Sequence, residues 1–306
     1  MTWRVLVALV TVLLSVGRCP TASAGPDDAA PGPVDIGSGR SLFLDCQGTG
    51  GPTVFVIPGQ GSYAEAWNHV VATDDPTWAS PYDVIEQARL VPSPTATQPT
   101  VARTTRICVY DRPGTRPDGD RRSTPVAQPH SAQQDVDDLV ALIGSAGLPG
   151  PFVFVAHSYG GLVLDLLARR HPELVAGLVF VEPTSEFLTG IGTPAQNAAF
   201  YADSRGRGPD AESVLMEESF AEVASAPPLP RVPASVLSAD RFPPPDQLTP
   251  DNYTQAQIRQ ANDMLAAALG TADVVVPHSG HNMMLYQPQV VAEAIEQIVE
   301  RVRSGR

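Results

Sequence analysis

Short apolar, β-branched runs alternate along this chain with longer amphipathic stretches. Residues 53–57, 106–110, 152–155, 175–181, 234–238 and 273–276 read as buried strands. Residues 34–36 and 41–45, joined by Gly37-Ser38-Gly39, read as a hairpin. Helices are predicted where apolar positions recur every three or four residues. One starts at the capping box of Ser131 and Gln134, with Val136, Leu139, Val140 and Ile143 on one face and Gly147 as its stop. A second covers 162–170. A third follows the capping box of Thr254 and Gln257 and stops at Gly270, and the last presents Val291, Ile295, Ile298 and Val302. Weaker signals predict a helix from Ala64 to Val71, another over 82–90, and an exposed Pro/Thr-rich loop over 92–105. Residues 184–231 carry scattered helical signal and no strand, which suits a small cap inserted over a site. Strands alternating with helices predict an α/β fold: a mostly parallel sheet with helices on both faces.

The ends and the charge narrow the class. Arg4, an apolar run over 5–16 and Ala22-Ser23-Ala24 before Gly25 have the form of a signal peptide, residues 1–24. The run is short for a membrane anchor, and Arg18 before Cys19 disfavours a lipoprotein. Residues 25–33, rich in Pro, Gly and Asp, read as a disordered lead-in to one domain over 34–306. The expected address is therefore extracellular. A net charge of −13 argues against nucleic acid or an anionic membrane as a partner. Cleavage would remove Cys19 and leave Cys46 and Cys108, an even pair that suggests a disulfide in an oxidising compartment.

The chemistry centres on residues 152–162. A buried strand runs into His157-Ser158-Tyr159-Gly160-Gly161 and a helix follows at once. Ala156 and Gly160, two residues either side of Ser158, are small enough for a tight turn that lifts the serine above the sheet. A serine hydroxyl is a poor nucleophile unless a base, itself oriented by an acid, lies within hydrogen-bond reach. His281, in a Gly-His turn beyond the last strand, is the candidate base. His278 reads as a structural histidine. His157 is expected to point away from the site and pack. Met283, Met284, Leu285, Tyr286, Phe187 and Leu188 are candidates for an apolar pocket or for core.

This strand–serine turn–helix resembles the nucleophile elbow of the α/β-hydrolase superfamily. The chain is most similar to exported single-domain hydrolases of actinobacteria. The resemblance also rests on Cys46-Gln47-Gly48, Pro58-Gly59-Gln60-Gly61 with Trp67, the run from Arg106 to Gly114, Leu237-Ser238-Ala239-Asp240, and Ser279-Gly280-His281. It departs at Ala156, at Pro58 where many relatives have His, and at Glu182 where Asp is usual. The resemblance implies the order serine, acid, histidine. The acid is Asp240, at the end of the strand before the last, or Glu182, after the elbow strand, with Asp246 third. It implies an oxyanion hole from the backbone N–H groups of Gln60 and Tyr159. It also implies that the strands carrying Cys46 and Cys108 lie close, so that a disulfide can join them.

The expected function is a secreted serine esterase that forms an acyl-enzyme on Ser158, acts on a small-molecule ester, and needs no cofactor or metal. The rivals are acyl transfer to an alcohol or peroxide, peptide cleavage, and a catalytically idle hydrolase fold used for binding.

Overall fold

The computed structural model describes residues 30–79, 88–115, 121–206, 211–243 and 247–305. The expected signal peptide, the core of the expected 82–90 helix and Asp246 lie outside these residues.

In chain order the elements are β1 (Gly32–Gly37), β2 (Arg40–Gln47), β3 (Val54–Ile57), β4 (His69–Val71), β5 (Leu90–Pro92), α1 (Thr97–Val101) and β6 (Ile107–Tyr110). Then come α2 (Ala132–Ala146), β7 (Phe152–Ser158), α3 (Gly160–Arg170), β8 (Val175–Pro183), α4 (Leu188–Ile191), α5 (Pro194–Asp203) and α6 (Met216–Ala224). The chain closes with β9 (Ala234–Ala239), α7 (Gln255–Ala268), β10 (Asp273–Val276), α8 (Met283–Tyr286) and α9 (Pro288–Arg303).

Eight strands form one sheet in the order β1-β2-β6-β3-β7-β8-β9-β10. The β1–β2 and β2–β6 pairs are antiparallel and every later pair is parallel. The alternation of strand side chains splits the core in two. Phe55, Phe152 and Phe154 face α2 and α3, whereas Val54, Val153 and Val155 face Trp67, α8 and α9. The central strands are apolar on both faces because helices cover both. Met283, Met284, Leu285 and Tyr286 are buried in the second of these clusters, so they are core.

Cys46 and Cys108 sit opposite each other across β2 and β6 and form a disulfide. No helix among the described residues is long and apolar enough to cross a membrane.

Three local expectations are corrected. The lead-in ends sooner, because Gly32 and Pro33 already pair with Leu44 and Phe43 in β1. The helix expected from Ala64 to Val71 is a single 3-10 turn, Ala64–Trp67, followed by β4. Val70 and Val71 are β-branched and pair with Val91 and Leu90 of β5 instead. The exposed loop expected over 92–105 contains α1, whose Thr97, Gln98 and Val101 are buried. Gln98 donates to the carbonyl of Asp45 and accepts from Asn68, so its polarity is satisfied inside the fold.

Candidate active site

The elbow geometry follows from small residues at close contacts. Ser158 ends β7 with φ of 53°, a strained backbone for a residue with a side chain. A Cβ on Gly160 would stand 2.4 Å from the carbonyl oxygen of Ile57, and one on Gly59 would stand 2.7 Å from His157 Nδ1. Glycine at both positions lets the loop after β3 close over the elbow.

His281 reaches Ser158 from the segment after β10, with Nε2 2.9 Å from the Ser158 Oγ. The segment is held at several points. Asp240 accepts from the Ser279 N–H at 3.0 Å, and the Ser279 hydroxyl donates to Val276 O. Arg241 N–H donates to Ser279 O. His157 Nε2 donates to the carbonyl oxygen of His281 at 2.7 Å. The expectation that His157 turns away into packing is therefore corrected: it is buried, but it lies beneath His281 and holds that residue's backbone. Burial pulls the His157 imidazole down to about 3, so it is neutral at ordinary pH, and loss of hydration lowers His281 in the same direction although that residue is exposed. His278 is exposed and meets Arg241.

The two described candidate acids occupy different environments. Asp240 is half-buried, and its Oδ1 accepts from the Ser279 N–H and lies 3.7 Å from Arg241 Nε. Glu182 is buried at the end of β8, with φ of 41° and one oxygen accepting from the Ala239 N–H at 2.6 Å. Burial raises its carboxyl to about 7. Glu182 lines the same cavity as Ser158 and His281, and Asp240 does not. Among the described residues, neither carboxylate forms an ion pair with His281.

That cavity measures about 330 Å³ and has mostly apolar walls, including Leu188 of α4, Phe200 of α5, and Phe242, Tyr253 and Ile258 from the β9–α7 region. The sequence pointed to Leu188. It gave no signal for the β9–α7 wall, because scattered apolar residues in an irregular segment have no period to read.

The backbone N–H groups of Gln60 and Tyr159 flank the elbow and donate to no other group among the described residues. The Tyr159 side chain runs the other way, into the interior, where its hydroxyl donates to Asp135 Oδ2 at 2.7 Å. There a buried charge cluster joins Arg112, His130, Asp135 and Glu212. His130, Asp135 and Glu212 approach within 4.8 Å, a spacing a metal could use. Arg112 already supplies the cation, with Nε 2.8 Å from Glu212 Oε1.

A model described as the alpha/beta hydrolase family matches residues 54–294. A lipase of Mycobacterium tuberculosis, LipV, is 42% identical over 60 residues, covering 20% of this chain and 23% of that protein. Curated relatives are matched over only part of their length: the first three are covered over 16%, 19% and 28%. A thermophilic esterase from Thermogutta terrifontis superposes with a TM-score of 0.53 at 19% identity, over 90% of this chain and 99% of that one. Est1E from Butyrivibrio proteoclasticus, solved with ferulic acid, gives a TM-score of 0.57 at 12% identity over 89% and 99%. These structural likenesses concern the fold.

Proposed function

The chain belongs to the alpha/beta hydrolase family, and from that premise we propose that it is an exported serine hydrolase of small carboxylic esters. The observation that carries this reading is the 2.9 Å contact between His281 Nε2 and Ser158 Oγ on a strained elbow. Ser158 attacks the acyl carbonyl and His281 takes its proton. The oxyanion accepts from the N–H groups of Gln60 and Tyr159. Collapse expels the alcohol, which receives the proton from His281, and water repeats the sequence to release the acid. Loss of hydration favours the neutral form of His281, the form that can act as a base.

Glu182 is the acid we propose. Its raised carboxyl has lost hydration that a nearby imidazolium would replace, so it favours the charged form of His281 as the proton moves. Catalytic hydrogen bonds in ligand-free enzymes often tighten only when substrate is bound. Asp240 then serves the fold by holding the turn that carries His281.

The apolar walls suit an uncharged acyl group. A volume near the lower end of ligand pockets suits short to medium chains. The disulfide fits an oxidising compartment, in keeping with export. No nucleic acid or membrane partner is proposed.

Labelling tests this reading. A fluorophosphonate should add covalently to Ser158 alone, located by peptide mass, and His281→Ala should slow the addition by at least about 10³-fold. An unlabelled Ser158 in the folded protein would refute it.

A further inference from the structure

Four charged side chains are buried together beneath the site: Arg112, His130, Asp135 and Glu212. With His130 protonated their charges sum to zero. A buried ion network is weak evidence for stability, because desolvation offsets most of its attraction. What the network touches explains it better.

Arg112 Nη1 and Nη2 donate to the carbonyl oxygens of Pro58 and Gly59, at 2.5 and 2.6 Å. Glu212 Oε2 accepts from the Gly61 N–H at 2.5 Å. The two residues therefore grip the backbone on both sides of Gln60, and they are paired with each other through Arg112 Nε and Nη2. The Gln60 side chain donates to the carbonyls of Ser204 and Glu212, at 2.8 and 3.0 Å. Arg112 also lies over the Tyr159 ring, 5.4 Å from its centre, while Asp135 holds the Tyr159 hydroxyl. The Gly59–Gln60 peptide, which carries one oxyanion donor, and the ring of Tyr159, which bears the other, thus meet at one guanidinium. Glu212 comes from the segment between α5 and α6, within the inserted stretch 184–231, so the grip also joins that stretch to the loop after β3.

We propose that Arg112 and Glu212 are positioning residues for the oxyanion hole, fixing the Gln60 N–H relative to the elbow and tying that geometry to the seating of the 184–231 insertion. This rests on the serine-hydrolase reading above. An oxyanion hole acts only if its donors are preorganised, and a loop of Pro58, Gly59, Gln60 and Gly61 has little intrinsic stiffness.

Two variants test it. Glu212→Gln keeps the shape and one acceptor but removes the charge. Gln60→Ala cuts both side-chain tethers, keeps the backbone donor and touches no buried charge. The readouts are kcat and KM for p-nitrophenyl butanoate per active site, with sites counted by fluorophosphonate titration. They are joined by inhibition by a trifluoromethyl ketone, which binds as a tetrahedral adduct, and hydrogen exchange over residues 58–61. In Glu212→Gln, kcat per site should fall about 10²-fold with KM within about threefold, and the ketone should lose affinity by a similar factor. Gln60→Ala should lose about tenfold in kcat, in the same pattern. Exchange over 58–61 should quicken in both while β7 stays protected. If only the number of active sites falls, with kcat per site unchanged, the residues are merely structural and the proposal is overturned. Unchanged exchange over 58–61 overturns it too. Should Glu212→Gln fail to fold, Gln60→Ala decides by the same criteria. Should the wild type hydrolyse no ester, the functional reading falls, and exchange over 58–61 alone decides whether the loop is held as proposed.

Discussion

His157 donates through Nε2 to the backbone carbonyl oxygen of His281 across 2.7 Å, and the two rings stand 4.8 Å apart. The residue before Ser158, the proposed nucleophile, thus holds the main chain of His281, the proposed base. His157→Leu should lower kcat/KM for an ester by about ten- to a hundredfold, whereas His157→Asn, which can still donate, should lose less. The same residue shapes acid stability. Its folded pKa, about 3, lies below its unfolded value near 6.5, so its contribution is whole above pH 6.5 and is lost as pH falls towards 3. Urea unfolding at pH 7 and pH 4.5 should show a larger loss of stability in the wild type than in His157→Leu.

Glu182 and Asp240 are separable by their pH behaviour. If Glu182 must be ionised to support the imidazolium, kcat/KM should climb with pH through about 7 before levelling. Glu182→Gln should cost about 10³- to 10⁴-fold and abolish that limb. Asp240→Asn should keep the limb, lose about tenfold or less, and lower stability by loosening Ser279. The larger loss in Asp240→Asn would reverse the assignment.

The proposed pairing of Ser158 with His281 could be suggested from sequence because Ser158 ends a strand and His281 lies a few residues beyond one, where local pattern announces position. The proposed acid was less legible, since strand ends offered both Asp240 and Glu182, and the preference for Glu182 rests on burial and cavity lining that have no local sequence signal. The sheet and most of its helices were readable from their periods. α1 was missed because its polar Thr97 and Gln98 are paired inside the fold. Arg112 stood out in sequence within its Asp-Arg-Pro-Gly run, but Glu212 had no local signal. Its partner lies 100 residues away, and only the folded chain brings them together.

The disulfide joins Cys46 and Cys108 across a sequence separation of 62. Loop-closure entropy assigns such a cross-link about 4 kcal/mol. The double variant Cys46→Ala, Cys108→Ala should therefore unfold at a lower denaturant midpoint by a comparable free energy. The wild type under reducing conditions should approach it.

His130 should make the protein sensitive to alkali. Asp135 and Glu212 hold its imidazolium against the cost of burial and raise it to about 10, with Arg112 beside them. Its folded pKa exceeds the unfolded value, so its stabilising contribution is complete below pH 6.5 and is lost as pH rises through 10. Thermal unfolding at pH 7 and pH 9.5 should show a fall in Tm for the wild type. His130→Gln, less stable at pH 7, should show little further fall.

Hydrolysis of p-nitrophenyl esters from acetate to palmitate by the protein and by its Ser158→Ala variant tests the proposed serine-esterase activity. A serine esterase with this cavity should turn over short to medium acyl chains fastest and lose at least about 10⁴-fold in rate in the variant. Equal rates in the two proteins, or no turnover of any ester by the wild type, would contradict it.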